Sequence, residues 1–276
     1  MKYTTIEVEK DKGIFIIRLN RPEVRNAINE QMSQDFTNAI KDAAGDEETR
    51  VVVITGTGKA FCAGADFRFG KVRDGEQTTQ KAEDLQSVHN EIKKGNLLHG
   101  LQLDINLALQ RMGKPVIAMV NGDAVGAGLD IALSCDMRVG SEGARFSVAY
   151  TRMGVVPDGG ATWLLPRLVG MGKTLELILT GGLIDASEAY RIGLLNKLTT
   201  AGDLEEETMK LATQIADGPP IAIRLSKMLV YKGLETDLET ALQFLSACIP
   251  ITTSSEDHQE AIKSFAEKRP PIYKGR

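Results

Sequence analysis

The chain has 276 residues, of which 42% are hydrophobic and 25% are charged, and its formal net charge is -4 at pH 7. This composition is typical of a globular protein with one sizeable core, and it shows no basic excess that would favour nucleic acid or an anionic membrane as a partner. No stretch approaches the roughly 18 uninterrupted apolar residues of a membrane span. No apolar run follows a basic head at the N-terminus, so we expect a cytoplasmic protein without a signal peptide.

The first two-thirds of the chain alternates predicted strands with predicted helices. Thr4–Lys10 and Ile14–Leu19 predict a hairpin around a short turn at Asp11-Lys12-Gly13. The further predicted elements are a helix over Asn29–Ala44, a strand over Val51–Thr55, a helix over most of Ala82–Met112, a strand over Val116–Val120, a helix over Leu129–Cys135 and a strand over Met137–Gly140. This alternation predicts an α/β fold of stacked βαβ units.

The pattern changes after Asp158. Apolar residues recur at helical spacing from Trp163 to Phe265, with breaks at glycines. These segments are too short and too thinly apolar for a second large core. We therefore divide the chain into a core over residues 1–200 and a C-terminal helical region over residues 201–276, whose helices we expect to pack against other copies of the chain.

The cysteines argue against a metal site. Cys62, Cys135 and Cys248 are widely spaced and odd in number, and the sequence contains no CxxC pair. This pattern predicts buried, reduced thiols and no metal.

Two segments have the pattern of a strand followed by small residues. Val116–Val120 is followed by a turn and by the small-residue run Ala124–Gly128, which leads into an apolar helix. The strand Val51–Thr55 is followed by glycines and then by Phe61–Asp66. A helix N-terminus attracts anions, and small residues let an oxygen approach backbone N–H groups, so the two segments could meet on one carbonyl oxygen as an oxyanion hole. Each segment taken alone could also be a tight turn with close packing.

Together these segments resemble the crotonase superfamily of enoyl-CoA hydratases, isomerases and their relatives. The resemblance covers nearly the whole chain. Its five motifs are Leu19–Ile28, similar to the first acyl-CoA-binding loop; Phe61–Asp66 and Lys114–Asp136, similar to the two oxyanion segments; Pro157–Trp163, similar to the active-site turn of isomerase-type members; and Phe265–Pro271, similar to the closing helix.

The resemblance implies stacked ββα units wound into a spiral, with a C-terminal region that builds trimers or dimers of trimers. The substrate would be an acyl-CoA of the kind found in fatty acid metabolism, so coenzyme A would be part of the substrate and no separate cofactor is expected. The N–H groups of Ala65 and Ala127 would hold the thioester oxygen as an enolate forms. The residues implied in contacts with CoA or the acyl group are Arg25, Ala63, Asp66, Gly126, Phe265 and Lys268, although Arg25 could also be a solvated loop residue.

The acid/base positions depart from the hydratase pattern. Where typical hydratases carry two glutamates, this chain has Asp130 and Tyr150, and a tyrosine with a pKa of about 10 cannot replace a carboxylate base at neutral pH. Asp158 stands where some isomerases and aryl-CoA dehalogenases carry their working aspartate. It could shuttle a proton, or it could cap the helix that begins near Gly160. Asp130 could act on the substrate or bond only to backbone and neighbours.

These residues favour an acyl-CoA double-bond isomerase over a plain hydratase, which would be a lyase. Asp158 is the expected base, with Asp130 and Tyr150 as further candidate catalytic residues. The alternatives are a hydratase or ring-cleaving hydrolase of an unusual, for example alicyclic, acyl-CoA, and a catalytically weak acyl-CoA-binding protein. Dehalogenation is disfavoured because Leu103 occupies the position of the dehalogenase histidine, although His99, one helical turn earlier, keeps it possible. Cys62 has no recognisable histidine partner and is better explained by packing.

Overall fold

The structure is a computed structural model that describes residues 3–66 and 104–276. Leu103 and most of the helix predicted over Ala82–Met112 lie outside the described residues. In chain order the strands are β1 Ile6–Asp11, β2 Ile14–Leu19, β3 Val51–Gly56, β4 Ala60–Cys62, β5 Val116–Val120, β6 Asp123–Val125, β7 Met137–Ser141, β8 Arg145–Ser147, β9 Ile184–Asp185 and β10 Lys197–Thr199.

The described helices alternate with these strands and then continue alone to the C-terminus. They are α1 Glu30–Gly45, α2 over residues 104–111, α3 Ala127–Ser134, α4 Ala161–Val169, α5 Met171–Thr180, α6 Ala186–Arg191, α7 Leu204–Ala216, α8 Pro220–Gly233, α9 Leu238–Thr253 and α10 Glu256–Glu267. Short 3₁₀ helices cover Pro22–Val24 and Tyr150–Met153.

The strands form two sheets. A six-stranded sheet has the order β1-β2-β3-β5-β7-β10, in which the β1/β2 hairpin is antiparallel and the remaining neighbours are parallel. A four-stranded sheet has the order β4-β6-β8-β9, with an antiparallel pair only between β8 and β9. The predicted α/β class is confirmed, and the hairpin forms where the sequence places it.

The smaller sheet is absent from the sequence-based prediction. Its strands are only two or three residues long, so they present no alternating apolar pattern that could be read from the sequence. The residues Asp123–Val125, interpreted as part of a turn and a small-residue run, form β6 of this sheet. The positions of β4 and β6 matter for function, because each leads directly into one of the two small-residue segments.

Helix α7 packs on the larger sheet. Its buried residues Leu204, Ala212 and Ala216 lie in one apolar cluster with strand residues such as Val53 and Met119. The division of the chain at residue 200 therefore separates α7 from the sheet that it covers. The helices after α7 are more exposed, and α9 has a single buried residue, Cys248. Across the described ranges, no helix is long and apolar enough to cross a bilayer.

Candidate active site

The smaller sheet brings the two small-residue segments together. Strands β4 and β6 are parallel neighbours, with Ala60 opposite Asp123 and Cys62 opposite Ala124. Neighbouring parallel strands end at the same edge of a sheet. The segment after β4 and the helix α3 after β6 therefore begin side by side.

Glycines permit this close approach. A Cβ atom added at Gly64, whose φ is +92°, would lie 2.7 Å from the carbonyl oxygen of Val125 and 3.5 Å from the backbone nitrogen of Ala127. A Cβ atom at Gly128 would lie 2.2 Å from the carbonyl oxygen of Cys62. Both positions exclude side chains, so the segment at 62–65 lies directly against the first turn of α3.

The backbone directions suit two converging donors. In the parallel bridge between Ile28 and Ala65, the N–H of Ile28 donates to the Gly64 carbonyl and the N–H of Asp66 donates to the Ile28 carbonyl. The N–H of Ala65, between these two groups, is directed to the opposite side of the segment. Ala127 is the first residue of α3, where the helix dipole places partial positive charge. The Ala65 N–H and the start of α3 thus lie on neighbouring segments, as the oxyanion-hole hypothesis expects.

Two residues that the sequence analysis did not name hold the first segment in place. The Asn26 side chain is fully buried and donates to the carbonyl groups of Thr57 and Ala60 at 3.0 and 2.8 Å. Arg21 pairs with Asp66, with 3.0 Å between the guanidinium Nη2 and Oδ2. Both residues lie in the Leu19–Ile28 motif, for which the sequence predicts CoA binding. Only the three-dimensional contacts show that they also hold the segment Phe61–Asp66 in position.

The residues assigned to CoA or acyl contacts are spread over three regions. Ala63 and Gly126 are half-buried and flank the converging segments, whereas Asp66 is buried in its ion pair with Arg21. Arg25 is exposed in a left-handed backbone conformation. The remaining two, Phe265, which is 87% exposed, and Lys268, lie at the end of α10.

Asp130, Tyr150 and Asp158 form one cluster. The Tyr150 hydroxyl donates a hydrogen bond to Oδ2 of Asp130, which is fully buried. Burial is the largest cause of the raised pKa of the Tyr150 hydroxyl, and its interactions with Asp130 and Asp158 raise this pKa further. Asp130 lies three residues after Ala127 on α3, so the cluster sits one helical turn from the predicted oxyanion donor.

The two aspartates have different surroundings. The pKa of Asp130 is raised to about 7, mainly by burial and further by the nearby Asp158. The hydrogen bonds that Asp130 accepts from Tyr150 and from the Ala161 N–H lower this pKa, but by less than burial raises it. Asp130 is thus a carboxyl that binds a proton near neutral pH. Asp158 is half-buried rather than enclosed. The cluster therefore contains one fully buried carboxyl, that of Asp130, and one accessible carboxyl, that of Asp158.

A different aspartate, Asp130, bonds to the start of α4. Helix α4 begins at Ala161, its N-cap residue is Gly160, and no side chain caps it from that position. Oδ1 of Asp130 instead accepts the Ala161 N–H at 3.0 Å. Asp130 therefore supplies the hydrogen bond expected of a cap from 31 residues away in sequence, which agrees with the backbone-bonding alternative for this residue.

Asn106 is a second buried contact to the same turn. Its side-chain amide, on α2, donates to the carbonyl oxygen of Gly159, the residue after Asp158. Nothing in the sequence distinguishes this asparagine from other polar residues of a helix. Its position is revealed only by the packing of α2 against the turn.

Cys62 is a packing residue. Its thiol is fully buried and donates to the carbonyl oxygen of Asn26 at 3.1 Å, and burial raises its pKa to about 12. A thiol with such a pKa is not ionised at neutral pH and is a poor nucleophile. Cys135 and Cys248 are also buried and free. Within residues 3–66 and 104–276, no group of three His, Cys, Asp or Glu side chains could hold a metal ion.

Known proteins resemble this chain over nearly its whole length. The chain is 35% identical over 275 residues to the short-chain-enoyl-CoA hydratase of Clostridium acetobutylicum, with 98% of this chain and 97% of that protein covered. It is 32% identical over 270 residues to the crotonyl-CoA hydratase of Syntrophomonas wolfei, with 98% and 97% covered. The crystal structure of an enoyl-CoA hydratase from Bacillus anthracis superposes with a TM-score of 0.85 at 32% identity, covering 99% of this chain and 100% of that one.

The family model for enoyl-CoA hydratase/isomerase matches residues 9–276, which is nearly the whole chain. The match includes the two converging small-residue segments, the aspartate–tyrosine cluster and the C-terminal helices. The neighbouring solved structure extends the likeness to the complete fold, including the sheets that position these segments. The chain therefore belongs to the enoyl-CoA hydratase/isomerase family and has the crotonase fold.

Proposed function

We propose that this protein is an acyl-CoA double-bond isomerase in which Asp158 moves the proton. The observation that supports this assignment is the contrast within the cluster. Asp130 is fully buried, whereas Asp158, which also interacts with the Tyr150 hydroxyl, is only half-buried. An isomerase needs one carboxylate that can reach the acyl chain, and Asp158 fits that role better than Asp130.

The reaction then proceeds in two proton transfers. The Asp158 carboxylate removes a proton from the carbon next to the double bond, and the released electron pair flows to the thioester oxygen as a dienolate. The N–H groups of Ala65 and Ala127 stabilise the negative oxygen, which develops more charge in the transition state than in the substrate. The protonated Asp158 returns the proton to the far end of the dienolate, the carbonyl reforms, and the double bond has moved without net addition.

Asp130 and Tyr150 complete the site without taking part in the proton transfer. Burial and the neighbouring Asp158 both raise the pKa of Asp130, which disfavours a negative charge on this buried carboxyl. The Tyr150 hydroxyl is hydrogen bonded to Asp130 and cannot ionise at neutral pH, because burial and two carboxyl neighbours raise its pKa. We assign both residues to shaping the pocket around Asp158.

The acyl group is carried by CoA in this proposal. Ala63 and Gly126 flank the thioester at the converging segments, and Asp66 with its partner Arg21 holds that part of the chain in place. The exposed Arg25 suits the phosphates of CoA, because a guanidinium forms charge-assisted hydrogen bonds with phosphate. Phe265 and Lys268, exposed on α10, would cover the CoA of a neighbouring subunit.

We further propose a homotrimer or a dimer of trimers. Helix α9 has exposed aliphatic side chains at helical spacing. Their exposed fractions are 75% for Leu238, 50% for Leu242, 41% for Leu245 and 49% for Ile249. Their spacing places them on one face of the helix. Such a continuous apolar face is unfavourable in water and is expected to be covered by other copies of the chain.

A hydratase is the second candidate, and two observations favour it. The relatives named above are hydratases, and the site contains two carboxyls joined through the Tyr150 hydroxyl, which could together orient water. The variant Tyr150→Phe separates the two reactions. An isomerase that uses Tyr150 only to shape its pocket should retain most of its rate, whereas a hydratase that orients water through this hydroxyl should lose about as much as Asp158→Asn.

Incubation in deuterated water tests the proposal directly. The protein is incubated with 2-enoyl-, 3-enoyl-, dienoyl- and alicyclic CoA esters, and the products are followed by mass spectrometry. We expect double-bond migration without gain of the mass of water, and deuterium enters the acyl chain to the extent that the proton on Asp158 exchanges with solvent before it is returned. Addition of water would support the hydratase, and loss of the thioester would support a hydrolase. Absence of any reaction with retained binding would identify a catalytically weak acyl-CoA-binding protein.

A further inference from the structure

The turn that carries Asp158 contains two consecutive glycines, Gly159 and Gly160, and Gly160 has a φ of +108°. Glycines leave the backbone with more conformational freedom than any other residue. A base on such a turn reaches a defined position only if neighbouring elements hold the turn. The structure shows two such supports.

Asp130 provides the first support. It accepts the Ala161 N–H, and it also packs closely on Gly159, since a Cβ added there would lie 2.5 Å from Oδ2 of Asp130. This contact fixes the side of the turn that faces α3. It does not engage the carbonyl group of Gly159.

Asn106 provides the second support, from α2. Its Nδ2 donates to the Gly159 carbonyl oxygen, and the residue is only 6% exposed. The orientation of the amide follows from chemistry, because its own oxygen would face another acceptor if the group were reversed. The contact joins residues separated by 53 positions in the sequence.

Among the described residues, the other end of the same amide is unpaired. Oδ1 of Asn106 is buried and has no hydrogen-bond partner in the part of the chain that the structure describes. A buried acceptor without a partner reduces stability. An apolar side chain of similar size would avoid that loss, but it would leave the buried Gly159 carbonyl without the Asn106 donor.

We propose that Asn106 is a positioning residue for the proton transfer: its amide holds the Gly159 carbonyl and thereby sets the place of Asp158 relative to the acyl chain. This inference rests on the proposed role of Asp158 as the base. Asn106 does not touch the reacting atoms in this proposal. A displacement of the base by about 1 Å can lower a rate about 100-fold, so a single hydrogen bond to the turn is sufficient to matter.

The first test is a double-mutant cycle with Asn106→Leu and Asp158→Asn. The rate of double-bond migration is measured with a 3-enoyl-CoA ester for the wild type, both single variants and the double variant. We expect Asn106→Leu to lower kcat about 10- to 100-fold with little change in KM, and to have no further effect on the residual rate of Asp158→Asn. If Asn106→Leu lowered kcat by the same factor in the wild type and in Asp158→Asn, or if it changed only KM, the positioning role would be overturned.

Asn106→Asp supplies an independent readout if the leucine variant does not fold. A protonated carboxyl can donate to the Gly159 carbonyl as the amide does, whereas the ionised form faces it with a second acceptor. The ratio of the Asn106→Asp rate to the wild-type rate should therefore fall as the pH rises. A constant ratio would contradict the proposal.

Different results would overturn the role of Asp158 as the base and the role of Asn106 as a positioning residue. A near-normal rate for Asp158→Asn would remove Asp158 as the base, and with it the proposed function. A large loss in Asp158→Asn together with unchanged rates in both Asn106 variants would leave that function intact and overturn only the positioning role.

Discussion

The hydroxyl of Tyr150 donates a hydrogen bond to the carboxyl of Asp130, twenty residues earlier in the chain, in a position where Asp130 is fully buried. This contact places both departures from the two-glutamate pattern of typical hydratases in one cluster. Because Asp130 also accepts the Ala161 N–H, its carboxyl has donors on both oxygens. Asp158 interacts with the same hydroxyl and is half-buried, so it is the more accessible aspartate of the cluster.

Replacement of the proposed base should remove activity without removing binding. Asp158→Asn keeps the shape of the side chain but cannot take a proton, so we expect turnover to fall by a factor of about 10³ or more, equivalent to about 4 kcal/mol of transition-state stabilisation. Affinity for acyl-CoA, measured by calorimetry, should change little and lie in the micromolar range, at about -8 kcal/mol. A near-normal rate would make Asp130 the leading candidate for the base.

The raised pKa of Asp130 predicts a pH-dependent stability. Its pKa is about 7 in the folded protein, mainly because of burial, and about 3.9 in an unfolded chain. The folded state therefore binds the proton more tightly, and the stabilising contribution is fully present below about pH 4 and is lost as the pH rises through about 7.

Asp130→Asn isolates this contribution. Asparagine stays neutral, can accept the Ala161 N–H and can donate to the Tyr150 oxygen, so it should not lose stability over that range. We expect the free energy of unfolding of Asp130→Asn minus that of the wild type to increase between about pH 4 and pH 7, by up to about 4 kcal/mol. Chemical denaturation across this range measures the difference. A difference that does not vary with pH would show that Asp130 is ionised in the folded protein.

A methyl group at Gly64 should separate the two converging segments. The added Cβ would meet the Val125 carbonyl at 2.7 Å, so the segment with Ala65 must move away from Ala127. We expect Gly64→Ala to lower the rate at least about 100-fold, as for loss of an oxyanion donor.

Gly193→Ala is the matched control for that variant. Gly193 has a similar positive φ of +81°, and its nearest contact would be an ordinary 3.5 Å from the Leu168 carbonyl. Both variants should lose about 1–2 kcal/mol of stability from the left-handed backbone, but only Gly64→Ala should lose activity. Equal rates in the two variants would argue against an oxyanion hole between these segments.

The apolar face of α9 predicts an assembly. Light scattering at micromolar concentration should give three or six times the monomer mass of 30.0 kDa. Leu242→Glu places a charge on this face and should lower the mass, whereas Gln243→Glu adds the same charge to a neighbouring exposed position and should alter it less. A wild-type mass near that of one chain would contradict the proposed trimer.

The sequence by itself determined the features that depend on neighbouring residues. Runs of buried β-branched residues predict the central strands β3 and β5, because such runs are typical of parallel strands covered on both faces. The glycines and alanines of Phe61–Asp66 and Ala124–Gly128 indicate a close approach of backbone, which the structure shows at Gly64 and Gly128. These patterns are local, and they also carry the family resemblance.

Only the tertiary structure decided which distant groups meet. The smaller sheet has strands too short to recognise, yet the pairing of β4 with β6 places Ala65 beside Ala127. The same packing places Oδ1 of Asp130 where it accepts the Ala161 N–H at the start of α4. It also brings Asn106 to the turn that carries Asp158. The physical reason is that a hydrogen bond between residues 31 or 53 positions apart depends on how whole elements pack, which no local pattern of side chains encodes.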